Sequence, residues 1–225
     1  MQWESVAPAL WLTLQVAAFS TALVALPAIA LGRFLARREF RGRSALEAFV
    51  ALPLYCPPTA FGYLLLRALR RDGPLGAESL GFDLDLLLTW RGAVLASALM
   101  SFPLVVRTAR LAFESVPARL EQMAASLGTS RARVLWRVTL PLARNGLIAA
   151  LLIGFSRALG EFGATVIVAG NIPGRTQTLA TGIFDALTLG DDARAVQLAG
   201  WSALLGFAAV WTSEWFLRRS RRASA

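Results

Sequence analysis

Charged residues divide this chain into long apolar stretches. No charge falls between Ser5 and Gly32, a run of 28 residues, and none between Ala48 and Leu66, a run of 19. Gly92 to Val106 is uncharged over 15 residues, and the apolar stretch continues outward past Arg91 to Leu86. Asn145 to Gly174 spans 30 residues with only Arg157 and Glu161 inside, and Ala195 to Ser213 spans 19 with no charge. A helix that crosses a bilayer needs about 20 apolar residues. The pattern therefore predicts an all-α integral membrane protein with about five transmembrane helices, near 8–32, 47–69, 88–112, 143–169 and 196–217. Residues 1–225 are read as one transmembrane domain in the lipid bilayer. Arg91 in the third span must snorkel to the headgroups or face protein. Pro27, Pro53, Pro57, Pro58 and Pro103 fall inside these spans, where membrane helices tolerate kinks.

The arginines predict the orientation. Five follow the first span, seven lie between the third and fourth, and four sit in the tail, sixteen together; the opposite side carries six. Cytoplasmic segments are enriched in basic residues, which puts the N-terminus outside and the C-terminus in the cytoplasm. The start, Met1-Gln2-Trp3-Glu4, has no basic region and its apolar run is too long for a cleaved leader.

Composition narrows the chemistry. Apolar types make up 56% and charged types 16%, with mean hydropathy +0.56. The net charge is +9, and all 23 basic residues are arginine. Without lysine there is no P-loop of the Walker type and no Schiff base. Without histidine there is no Ser-His-Asp triad and no His-ligated zinc. The single Cys56 cannot form an intrachain disulfide and reads as packing. The arginine clusters sit beside apolar runs, so they predict a membrane surface and no nucleic acid. No metal site and no activated nucleophile are evident.

Two segments between spans carry a pattern of their own. Residues 113–142 read as a short helix, a glycine turn and a second short helix on the cytoplasmic side. Ser115-Val116-Pro117 offers a helix start. Leu120, Met123, Ala124 and Leu127 then repeat on one face. Gly128 interrupts, Thr129-Ser130 can cap the next helix, and Leu140-Pro141 ends it at the entry to the fourth span. Such a segment can lie on the bilayer or dock on a cytoplasmic partner. The outer segment Asn171 to Thr178 is rich in amides, hydroxyls and turn formers. Asn171, Arg175 and Thr176 are candidate groups near a pathway mouth. Arg157 and Glu161 stand four apart, as helix neighbours do. Such a pair either lines a path or subunit interface, or locks the fourth span against a neighbour.

Several of these residues resemble a known pattern. Ala125-Ser126-Leu127-Gly128, nine residues, then Val138-Thr139-Leu140-Pro141 is similar to the cytoplasmic EAA signature of ABC importer permeases. Spacing from Gly128 puts the pattern's glutamate at Gln122 and its alanines at Met123 and Ala124, while a glutamate stands one place earlier at Glu121. Ala158-Leu159-Gly160-Glu161-Phe162-Gly163-Ala164-Thr165, with Ala169 to Leu179, resembles the molybdate permease branch, and sulfate permeases are worded similarly.

The resemblance implies a type I ABC importer permease fold with a cytoplasmic coupling helix. It implies a homodimer in a prokaryotic inner membrane that moves molybdate or tungstate inward by alternating access. A cytoplasmic ABC ATPase would hold ATP and Mg, with no cofactor on this chain, and an extracytoplasmic oxyanion-binding protein would deliver substrate. Leu120, Glu121, Gln122, Met123, Ala124, Leu127, Gly128, Leu140 and Pro141 would then couple to the ATPase. A sulfate or other oxyanion permease is the alternative, and a membrane scaffold or enzyme without ABC partners the remote one.

Overall fold

The computed structural model describes the backbone of residues 3–222 and the side chains of residues 6–212. Every regular element among the described residues is helical. The tail arginines Arg218, Arg219, Arg221 and Arg222 lie outside the residues whose side chains are described.

Helix α1 (Trp3–Arg37) has 35 residues, about 52 Å at 1.5 Å per residue. Its length exceeds the bilayer core, which a tilted helix accommodates. Helix α5 (Trp90–Glu114) is the centre of the fold and packs against α1, α8 (Leu140–Leu159) and α9 (Gly163–Ala169). Two thirds of its apolar window is buried inside the chain, against 11% for α11 (Asp192–Arg222). Protein encloses α5; α11 offers its Val196, Leu204, Phe207 and Trp211 side chains outward. Small residues allow the close packing. A Cβ on Gly154 of α8 would stand 2.5 Å from Val105 Cγ2 of α5. Van der Waals contact between close backbones drives helix association in lipid. Several buried hydroxyls bond a carbonyl of their own helix, as Thr13 Oγ1 does to Ala9 at 2.7 Å, which spares them from meeting hydrocarbon unpaired.

Among the described residues, four helical stretches are long and apolar enough to cross a membrane: Val6–Arg37, Trp90–Glu114, Arg131–Leu159 and Asp192–Thr212. The expected span 47–69 is not one helix. It is α2 (Arg43–Tyr55) and α3 (Pro58–Leu69), bent by 107° at Cys56-Pro57. Pro57 and Pro58 lack N–H groups, and proline disfavours the helical conformation at the residue before it. Cys56 is accordingly extended, and Pro58 opens α3.

The expected span 143–169 is corrected at both ends. At its start the helix is already running: α7 (Arg131–Val134) passes through a π-helical turn, Leu135–Thr139, into α8. Leu140-Pro141 therefore does not end a helix. Pro141 follows directly on the π turn, which absorbs the change of register where proline has no N–H to donate. At its far end α8 stops at Leu159, and α9 starts afresh at Gly163. Two further elements lie outside these crossings. The four-residue α4 (Ala77–Leu80) lies between the second and third crossings, and α10 (Leu179–Thr188) packs on α11.

Candidate functional site

The short helix α6 (Ala118–Ser126) hangs below α5 through Ser115, Val116 and Pro117. Its residues divide between an anchored side and an open side. Glu121 faces inward. Its Oε1 accepts from Arg37 Nη2 at 3.1 Å and from Thr139 Oγ1 at 2.7 Å. Arg37 Nη2 also donates to the Val116 carbonyl at 3.0 Å. One carboxylate thus joins the end of α1, the π turn and the start of α6. Thr139 is fully buried, so its hydroxyl depends on this partner.

The open side carries the apolar residues. Leu120, Met123 and Leu127 are 41%, 54% and 84% exposed. Gln122 is also exposed, while Ala124 and Leu140 are half-buried and Pro141 is exposed. Trp136, on the π turn that touches α6, adds a ring 70% exposed. Gly128 follows α6 with φ +78°, and a Cβ there would meet nothing within 4 Å. The left-handed backbone favours glycine here, and the space beside it is open for a partner. The Thr129 hydroxyl donates to the Ala124 carbonyl and closes the turn.

Spacing alone placed the signature's glutamate at Gln122. In the structure the inward, anchored position belongs to Glu121, and Gln122 points to solvent. The sequence reading gives Arg37 and Trp136 no place in this site, and Thr139 only a place within the signature. Arg37 lies more than eighty positions from its partner, and no local pattern announces such a pair. A four-residue charge network also escaped it. Glu47 of α2 accepts from Arg43 and from Arg110 of α5, each at 2.8 Å, and Arg110 reaches Glu114 at 2.7 Å. Its signal was present in two i,i+4 pairs, Arg43/Glu47 and Arg110/Glu114. The network borders a cavity of about 330 Å³ between α1, α2 and α5, walled by Leu35, Val50 and Pro103.

Deeper in the molecule, Arg157 Nη1 stands 2.7 Å from Glu161 Oε2. The two do not share one helix face, because Glu161 lies beyond the end of α8. Its other oxygen accepts from the Ala164 amide at 3.0 Å and so supports the first turn of α9. The Glu161 side chain is 1% exposed and that of Arg157 is 29% exposed. This break in the fourth crossing packs on the break in the second. A Cβ on Gly163 would stand 3.0 Å from Pro58 Cβ, and one on Gly62 2.8 Å from Ala164 Cα.

The segment 171–178 is folded inward. Thr176 is 1% exposed and its hydroxyl accepts from the Ile172 amide at 2.9 Å. Its chemistry is committed to holding the loop. Thr178 then caps α10 in a reciprocal box with Thr181. Asn171 Oδ1 is buried without a partner, and Arg175 is exposed beside Arg91. No group of acidic, cysteine or histidine side chains suited to a metal occurs among the described residues.

Known proteins carry the same architecture and wording. The molybdenum transport system permease ModB of Haemophilus influenzae is 41% identical over 208 residues, 91% of each chain. That of Escherichia coli K12 is 43% identical over 189 residues, 83% of this chain and 82% of the relative. A sulfate transport permease of Synechococcus elongatus is 34% identical, over 76% of this chain and 60% of its own length. Among solved structures, a bacterial alginate ABC transporter matches at TM-score 0.76 and 19% identity over 96% of this chain and 80% of that one. The methionine transporter MetNI matches at TM-score 0.73 and 15% identity over 96% and 95%; at such identities the likeness concerns the fold. The family of binding-protein-dependent transport system inner membrane components matches residues 28–222, and with the crossings and the exposed α6 turn already in place, this chain belongs to that family.

Proposed function

We propose that this chain is the membrane-spanning subunit of an ATP-driven importer for molybdate, with tungstate as an equivalent cargo. The observation that carries the reading is the identity of 41% and 43% to molybdenum permeases over most of the chain. The sulfate relative is less similar and shares less of its length. Two copies would form a dimer with the path between them, N-termini outside and C-termini in the cytoplasm. A separate ABC ATPase would bind ATP and Mg and dock on the open side of α6, where Leu120, Met123, Leu127 and Trp136 are exposed. An extracytoplasmic binding protein would deliver the oxyanion.

Transport then follows as alternating access. ATP and the loaded binding protein each shift a two-state dimer by binding one state better. Motion of the ATPase reaches the membrane through α6. Glu121 ties that helix to α1 and to the π turn, so a push on α6 moves two crossings together. The continuity of α7 with α8 carries the same push toward Arg157, Glu161 and the break. This ion pair serves to hold α8 to α9.

The test is uptake of labelled molybdate into vesicles holding this chain with its ATPase and binding protein. ATP-driven accumulation that resists excess sulfate is expected. Accumulation abolished by sulfate would move the assignment to the sulfate branch, and assembly with no oxyanion movement would refute the substrate.

A further inference from the structure

Two adjoining cavities flank the outer end of α5. The first, about 230 Å³, brings Arg91 and Arg175 together with Asp85 and Thr89. The second, about 470 Å³, is an apolar groove between α1 and α5 walled by Phe19, Leu23, Val94 and Leu95. Trp90 and Arg91 line both. The Arg91 guanidinium lies 6.0 Å from the Trp90 ring centre, and Phe19 packs on the same ring at 5.6 Å. Tryptophan and arginine at a helix end mark the membrane–water boundary. Among the described residues neither Arg91 nor Arg175 has a carboxylate within ion-pair distance.

The backbone around the first cavity is strained. Asp85 and Leu88, both lining it, have φ of 49° and 57°. Residues other than glycine rarely adopt this region, and they persist there when surroundings hold them at a functional place. The Leu88 amide is held by the Val168 carbonyl at 3.0 Å. The loop thereby presents Thr89 and the first turn of α5, whose dipole favours an anion.

We propose that these joined cavities bind one anionic phospholipid of the outer leaflet, its phosphodiester between Arg91 and Arg175 and an acyl chain in the Phe19–Leu95 groove. Charge selects this occupant over a free oxyanion. Two arginines and one aspartate leave a single net positive charge, which a monoanionic phosphodiester neutralises. A dianion would leave an excess beside Asp85. The groove has no function for a free ion, and it fits a ligand with an anionic head and an apolar tail. The inference rests on the outward placement of the Trp90 end of α5, and on no part of the transport reading beyond that.

The experiment is native mass spectrometry of the full-length protein released from mild detergent, with phosphatidylglycerol or phosphatidylcholine added. The unaltered protein retains phosphatidylglycerol in preference to phosphatidylcholine. The double variant R91Q/R175Q binds it about 25-fold more weakly, a factor of about five for each arginine. L95W, which fills the groove and leaves both arginines, also loses it. Equal retention of the two lipids by the unaltered protein overturns the proposal. So does unchanged retention in the double variant, displacement of lipid by free molybdate, or dissociation of a dimer by L95W with lipid retained. None of these readings requires transport, so failure here and failure of the molybdate assignment are separable.

Discussion

Replacing Glu121 by alanine tests the link between α6 and the membrane. The substitution removes the acceptor for Arg37 Nη2 and for Thr139 Oγ1. Hydrogen bonds to a charged group are worth about 1.5–3 kcal/mol each. The Arg37 and Glu121 side chains keep 23% and 21% exposure, so solvent screens their attraction. About 2 kcal/mol for the whole clamp follows from these two considerations. Arg37 retains the Val116 carbonyl, while the buried Thr139 hydroxyl is left without its carboxylate. A loss of about 2 kcal/mol multiplies a local opening equilibrium about thirtyfold. Amides of residues 118–126 in Glu121→Ala should therefore exchange hydrogen about thirtyfold faster. Uptake should fall while the protein still inserts. Glu121→Gln keeps an acceptor oxygen and should accelerate exchange less than tenfold. Unchanged protection of α6 in the alanine variant, or equal damage from glutamine and alanine, would refute the clamp.

Two other substitutions separate local strain from partner contact. Gly128→Asn should retain most uptake, because asparagine tolerates the left-handed turn at φ +78°. Gly128→Val pays about 1–2 kcal/mol in that conformation and should lose uptake. Gly128→Asp should abolish uptake while inserting normally. An added Cβ meets no atom of this chain, and asparagine has the same shape as aspartate, so loss confined to the aspartate variant locates an electrostatic conflict at the docked partner. At the deeper pair, Arg157→Ala should destabilise more than Glu161→Ala. It strands a carboxylate that is 1% exposed, whereas Arg157 alone keeps 29% exposure and can be hydrated. Adding Glu161→Gln to Arg157→Ala should recover part of the lost thermal stability. A double variant no more stable than Arg157→Ala would show that Glu161 is not a buried charge.

Crossings were legible where one physical rule dominates. The uncharged run from Ser5 to Gly32 lies inside one helix, Trp3–Arg37. The third stretch, shortest of the five, is Trp90–Glu114, because small residues such as Ala93, Ala96 and Ser97 serve a helix surrounded by protein as well as apolar ones do. Interruptions were less legible. Hydropathy runs unbroken through Cys56-Pro57-Pro58, and near Gly160 only Arg157 and Glu161 interrupt it without announcing a bend, since burial in lipid does not register chain direction. The α6 turn was visible from Gly128 and the Leu-Pro spacing, but its anchor was not. Glu121 meets Arg37 only because α1 and α5 run side by side and end together, a fact of packing that no window of sequence contains.

The two breaks are better understood together than singly. Lipid cannot satisfy a free backbone group, so interrupted helices survive only when protein covers them. Pro57 and Pro58 offer no N–H to the last carbonyls of α2, and Gly160 to Phe162 leaves the start of α9 with free amides. Glu161 supplies an acceptor for one of those amides. The rest of the cover is mutual: Gly163 lies against Pro58 and Thr59, and Gly62 against Ala164. A side chain at Gly62 or Gly163 would part the two breaks and admit lipid to unsatisfied backbone. A straight helix in place of either would remove the bend that lets the other be covered. The second and fourth crossings are therefore bent as a pair. Any motion that α6 passes along α8 arrives where the helical ladder is already open, and there a change of angle breaks the fewest hydrogen bonds.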